Sequence, residues 1–150
     1  MKTQPMDDWA KEAAYRLRAA EQARKQSEQD SEEDLRTLKF HAPRLWIKLK
    51  ESIGANCQAL TVEMGLPVLE TSPSPPSGLR IKRLEPPAVL AVDFNEDPYR
   101  VSYSCGGGRG EYRISVDANG SASFRDAYHR WFTVDEVSRN LLDLLLQAPF

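Results

Sequence analysis

A chain of 150 residues is long enough for one domain with its own hydrophobic core and an extension beside it. Its 20 Lys and Arg against 22 Asp and Glu leave a net charge of −2, so no overall field selects nucleic acid or a membrane surface. Two cysteines make no disulfide framework, no apolar run approaches the roughly 18 residues of a membrane span, and Met1 to Glu12 lacks the apolar stretch of a signal peptide.

The expectation is a cytoplasmic protein with reduced thiols and no membrane association. Met1 to Met6 is expected to lack order. From Asp7 or Asp8, either of which can cap a helix, to about Glu28 the residues are strong helix formers with a thin apolar stripe of Trp9, Ala13, Leu17 and Ala20. Such a helix buries little by itself, so it is expected to dock weakly or need a partner chain. Ser31 with Asp34 resembles a capping box and marks a second helix start. Residues 1–34 are read as a helical N-terminal extension, and 35–150 as a single α+β domain.

The second helical stretch carries Leu35, Leu38, Ala42, Trp46, Leu49, Ile53, Cys57, Leu60 and Met64 at steps of three and four, one continuous face. Pro43 either kinks it or begins a new helix in its first turn. Gly65-Leu66-Pro67 ends it. Residues 66–78, rich in Pro and Ser, read as an extended connector with polyproline II character.

Leu79 to Arg125 alternates apolar and polar residues in five short runs: Leu79–Leu84, Ala88–Phe94, Arg100–Cys105, Glu111–Val116 and Ala122–Arg125. Turn residues separate them, so they predict a five-stranded antiparallel meander over about 79–125. One face is apolar and needs a cover; the helices before and after supply it. The predicted architecture is two-layer α+β, with N-terminal helices and a C-terminal helix on one face. Asp126 to Phe132 is read as an aromatic-rich connector. Thr133 and Glu136 form a capping box for a last helix, whose face is Val134, Val137, Leu141, Leu144 and Leu145, with Leu142 and Leu146 off it.

No catalytic constellation emerges. The glycine-rich stretch 106–110 joins two strands and lacks the following helix and the spacing of a phosphate loop, so it reads as a hairpin tip, with Arg109 free to meet a partner. Cys105 and His129 are a conceivable nucleophile pair, which makes a small enzyme the weakest of three readings. His41, His129, Cys57 and Cys105 have no zinc spacing, and neither a cofactor nor a metal is expected. The polar sheet face collects Arg80, Lys82, Arg100, Arg113 and Arg125 among serines, a surface able to hold a polyanion or nucleic acid. The leading expectation is a non-enzymatic protein-interaction or assembly module with an unknown protein partner. A homodimer through helices 7–28 and 134–147 is expected, with polyanion or nucleic-acid binding as the alternative.

Overall fold

A computed structural model describes residues 5–149. Residues 1–4, part of the stretch expected to lack order, lie outside the described residues, whereas Pro5 and Met6 are already helical. The described residues fall into two units with a boundary between Arg36 and Thr37.

Helix α1 spans Pro5–Met64 and contributes to both units. No new helix starts at Ser31, contrary to expectation, because helix propagation costs less than a fresh nucleus and Gln, Glu, Lys and Arg propagate well. Neighbouring turns add local support: Arg24 pairs with Glu21 and Glu28, each at 2.6 Å, and Gln26 donates to Asp30 at 3.1 Å. Pairs of this kind are worth about 0.2–0.5 kcal/mol each. Pro43 lies inside α1 and does not divide it.

In the second unit a seven-stranded antiparallel sheet runs in chain order. Its strands are β1 (Leu69–Ser74), β2 (Gly78–Arg83), β3 (Ala88–Asn95), β4 (Arg100–Cys105), β5 (Gly108–Val116), β6 (Ala122–Arg125) and β7 (Trp131–Phe132). The five expected strands are all present. The two additions correct the connector readings. Residues 69–74 pair with β2 as an edge strand instead of forming a polyproline linker, and residues 131–132 close the opposite edge. An edge strand tolerates Pro73, whose missing N–H can face solvent.

The sheet buries one face. Leu79, Ile81, Leu90, Val92, Phe94, Val101, Tyr112, Ile114 and Phe124 meet Ala42, Trp46, Leu49, Ile53 and Cys57 of α1 in one core, with α2 (Val134–Leu146) as the second covering helix. Trp46 stacks on Phe94 with ring centroids 5.9 Å apart. The outer members of the predicted α1 stripe, Leu35 and Met64, are exposed. The capping box of α2 is in place: Glu136 N–H donates to Thr133 Oγ1 at 3.2 Å and Thr133 N–H to Glu136 Oε1 at 3.0 Å. Its buried face differs from expectation at one pair of positions, since Leu142 is buried and Leu144 is exposed. Ser138, fully buried, takes part in that face because Asn56 of α1 donates to its hydroxyl at 2.8 Å. No described helix is long and apolar enough to cross a membrane.

Candidate functional site

Alternation puts every second residue of β3 to β7 on the open face, and the turns decide which of them stand side by side. The β4–β5 hairpin closes through Gly106 and Gly107 alone, with Cys105 opposite Gly108 and Gly106 at φ +60, a conformation that glycine adopts without a Cβ penalty. The predicted loop 106–110 is therefore shorter than expected, and Arg109 and Gly110 belong to β5. Gly110 has its own reason to be glycine. A Cβ there would meet the Tyr103 ring, whose Cζ lies 2.6 Å from that position.

This tight register places Arg100 opposite Arg113 and Arg113 opposite Arg125. Three guanidinium side chains thus form one row across β4, β5 and β6. Asn95 continues the row on β3 and Trp131 ends it on β7. Like charges in directly opposed positions destabilise a sheet. Glu111, two residues from Arg113 on the same face, offers the relief: it lies 3.3 Å from Arg100 and 3.9 Å from Arg113. Arg125 stands over the Trp131 ring at 5.0 Å, and its Nε is shielded from water with no hydrogen-bond partner.

Of the six candidate cations, Arg100, Arg113 and Arg125 come together. Arg80 is paired with Asp93 at 3.2 Å, and Lys82 sits opposite Glu70 on β1. Arg109 lines a separate shallow groove with Asp93, Ser102, Ser104 and Glu111.

The turns after β5 and β6 are built alike. Asp117 Oδ1 accepts from the N–H groups of Asn119 and Ser121 at 2.9 and 3.1 Å. Asp126 Oδ1 accepts from those of Tyr128 and Arg130 at 3.0 and 2.9 Å. The fourth residue of each turn is left-handed: Gly120 at φ +77 in the first, His129 at φ +64 in the second. A histidine therefore occupies a backbone position suited to glycine. Burial alone would raise the Asp126 carboxyl, but the Arg130 N–H and guanidinium, the latter at 2.9 Å, together with the Tyr128 N–H, hold it below the usual carboxylate range.

Cys105 and His129 are not brought together. Cys105 lines a cavity against the end of α2, and His129 lines another with Arg113 and Arg125. Burial pushes both thiols up, opposed at Cys105 by the charge of Arg83, so neither is poised as a thiolate. Among the described residues no group of three or more His, Cys, Asp or Glu side chains could hold a metal ion.

Arg83 is the residue that sequence reasoning missed. It is 4% exposed, on the buried face. Its Nη1 donates to the carbonyls of Leu145, Leu146 and Ala148 at 2.8, 3.2 and 3.0 Å, and its Nε to Pro86 O at 2.6 Å. The last turn of α2 holds no basic residue, so a cation from the sheet satisfies the carbonyl end of that helix. The signal was available: Arg83 continues the alternation of Leu79 and Ile81.

No family model, no curated protein and no solved structure matches this chain.

Proposed function

We propose that this protein is a non-enzymatic binding module that takes an anionic protein partner on the open face of its sheet. The observation that supports this reading is the in-register row of Arg100, Arg113 and Arg125 with one carboxylate, Glu111, between them. Opposed like charges cost roughly a few tenths of a kcal/mol to 1 kcal/mol per pair, and an anion bound across them removes that cost. A protein partner is favoured over single-stranded nucleic acid because Tyr103, Tyr112 and Phe124 pack together on the buried face, and Trp131, the strand aromatic on the open face, already has Arg125 over its ring.

The test is retention on immobilised poly-glutamate and heparin, with elution by salt. The expected result is retention of the intact protein at low salt and earlier elution of Arg100→Ala and Arg113→Ala, because each neutralised group contributes counterion release. Passage of the intact protein through both columns at low salt would overturn the reading.

A second reading, a homodimer through helices 7–28 and 134–147, rests on the exposure of Leu144 and Leu146 on α2. Light scattering that returns a monomer mass at tens of micromolar would remove it.

A further inference from the structure

The open face carries a cavity of about 340 Å3 between β5, β6 and the turn after β6. Arg113, Arg125, Ser115 and His129 line it together with Glu111 and Asp126. We propose that this cavity is a binding site for a phosphate-monoester dianion. The proposal rests on the anion-binding reading of the same face and gives that reading a ligand class.

Charge makes the first argument. Both lining carboxylates already have cations from outside the cavity: Asp126 holds Arg130 at 2.9 Å, and Glu111 holds Arg100 at 3.3 Å. Four guanidiniums thus stand against two carboxylates; Glu111 is shared between Arg100 and Arg113, at 3.3 and 3.9 Å, so the surplus of two positive charges is spread along the row and is least compensated at Arg125. A doubly charged anion matches that surplus, whereas a carboxylate or a phosphodiester leaves half of it unmet.

Donor geometry makes the second. Arg113 and Arg125 are directly opposed across β5 and β6 and line the same cavity, and the Arg125 Nε still lacks an acceptor. The Ser115 hydroxyl and the His129 imidazole, which line the same cavity, add further donors. Donors from several directions suit a tetrahedral oxyanion better than a planar one.

His129 makes the third. Its turn repeats the hydrogen bonds of the Asp117 turn, where glycine fills the left-handed position. A side chain at φ +64 carries a backbone cost that glycine would not, and here that side chain lines the cavity.

The experiment is an NMR titration of the full chain with inorganic phosphate and with phenyl phosphate, at ionic strength fixed with chloride. Dimethyl phosphate and a single-stranded oligonucleotide form the comparison arms. The expected result is saturable shifts at Arg113, Arg125 and Ser115 with both dianions and not with dimethyl phosphate. Arg125→Ala is expected to weaken binding by at least about tenfold, the loss of one charge-assisted contact. His129→Gly is expected to weaken it several-fold while raising the melting temperature, a combination that a purely structural His129 would not produce. Shifts with the oligonucleotide alone would overturn the phosphate site and leave an anion-binding face. Shifts with dimethyl phosphate equal to those with inorganic phosphate would overturn the dianion assignment. No response to any arm, with retention on poly-glutamate intact, would overturn the site and spare the reading beneath it.

Discussion

Replacing Arg83 by Met keeps most of the side-chain volume and removes every hydrogen bond it makes. Three N–H groups, one on Nε and two on Nη1, serve the carbonyls of Pro86, Leu145, Leu146 and Ala148. Bonds to a charged group are worth about 1.5–3 kcal/mol each, so three give a gross loss of at least about 4.5 kcal/mol. Part is returned, because methionine needs no desolvated charge and the unpartnered Nη2 disappears. The penalty for a buried ion is several kcal/mol, and here only a helix terminus, equivalent to about half a charge, offsets it. The net expectation is a loss of about 2–4 kcal/mol in urea unfolding, with an unchanged m-value. Arg83→Lys, able to reach fewer of these carbonyls, should lose about half as much. Because the group is buried, salt should leave the difference nearly unchanged. A loss below about 0.5 kcal/mol for Arg83→Met would refute the argument, since it is the range of an ordinary surface substitution.

Other outcomes follow from the same geometry. Ile53, fully buried between α1 and the sheet, should cost about 2–5 kcal/mol on truncation to Ala, read from urea melts. Gly110→Ala should cost about 1–3 kcal/mol by forcing the Tyr103 ring aside, and Gly110→Ala in a Tyr103→Ala background should cost clearly less. Thr133→Ala removes one half of the α2 capping box and should cost about 1 kcal/mol. Asp126 has a depressed folded-state pKa, so its contribution is present above the usual carboxylate range and is lost as pH falls through the folded value. The stability gap between Asp126→Asn and the native protein should therefore be widest near neutral pH and close in acid, which thermal melts at a series of pH values would measure.

The meander was legible between Leu79 and Arg125 because one face of the sheet is buried and the other is wet, and such strands print that contrast into the sequence. β1 prints nothing comparable. Of its six residues only Leu69 is buried, and its ladder to β2 is a backbone property that Ser and Pro side chains do not advertise. α1 misled for the opposite reason: Ser31 with Asp34 and Pro43 are genuine local signals for a helix start, and the surrounding helix formers override both. The six candidate cations were legible as a set, but their grouping was not. Grouping depends on register, and register depends on a β4–β5 turn of two residues where the glycine run suggested five. His129 was legible as a residue type and opaque as a strained position, since only the backbone reveals that it stands where Gly120 stands in the preceding turn.

The sheet thus holds two buried-nitrogen arginines, one on each face, and they sort fold from function. Arg83 finds acceptors within the chain for Nε and Nη1, at Pro86 and on the carbonyl end of α2, and only its Nη2 is left without one. Arg125 has an aromatic ring beside it and an Nε without an acceptor, next to a like charge at Arg113. An arginine used for stability is expected to find most of its acceptors in the protein that it stabilises, as Arg83 does at Nε and Nη1. One kept for a ligand leaves donors open and tolerates repulsion until the ligand arrives. The two substitutions should therefore separate cleanly. Arg83→Met should lower stability by about 2–4 kcal/mol and leave phosphate affinity of the still-folded protein within about twofold. Arg125→Ala should lower phosphate affinity by about tenfold or more and change stability by less than about 1 kcal/mol in either direction, since relief of repulsion with Arg113 offsets the lost contact with Trp131. Urea melts and phosphate titrations on the same two proteins measure all four quantities. A stability loss at Arg125 as large as that at Arg83 would show that both arginines are structural, and the open face would then lose its claim to a ligand.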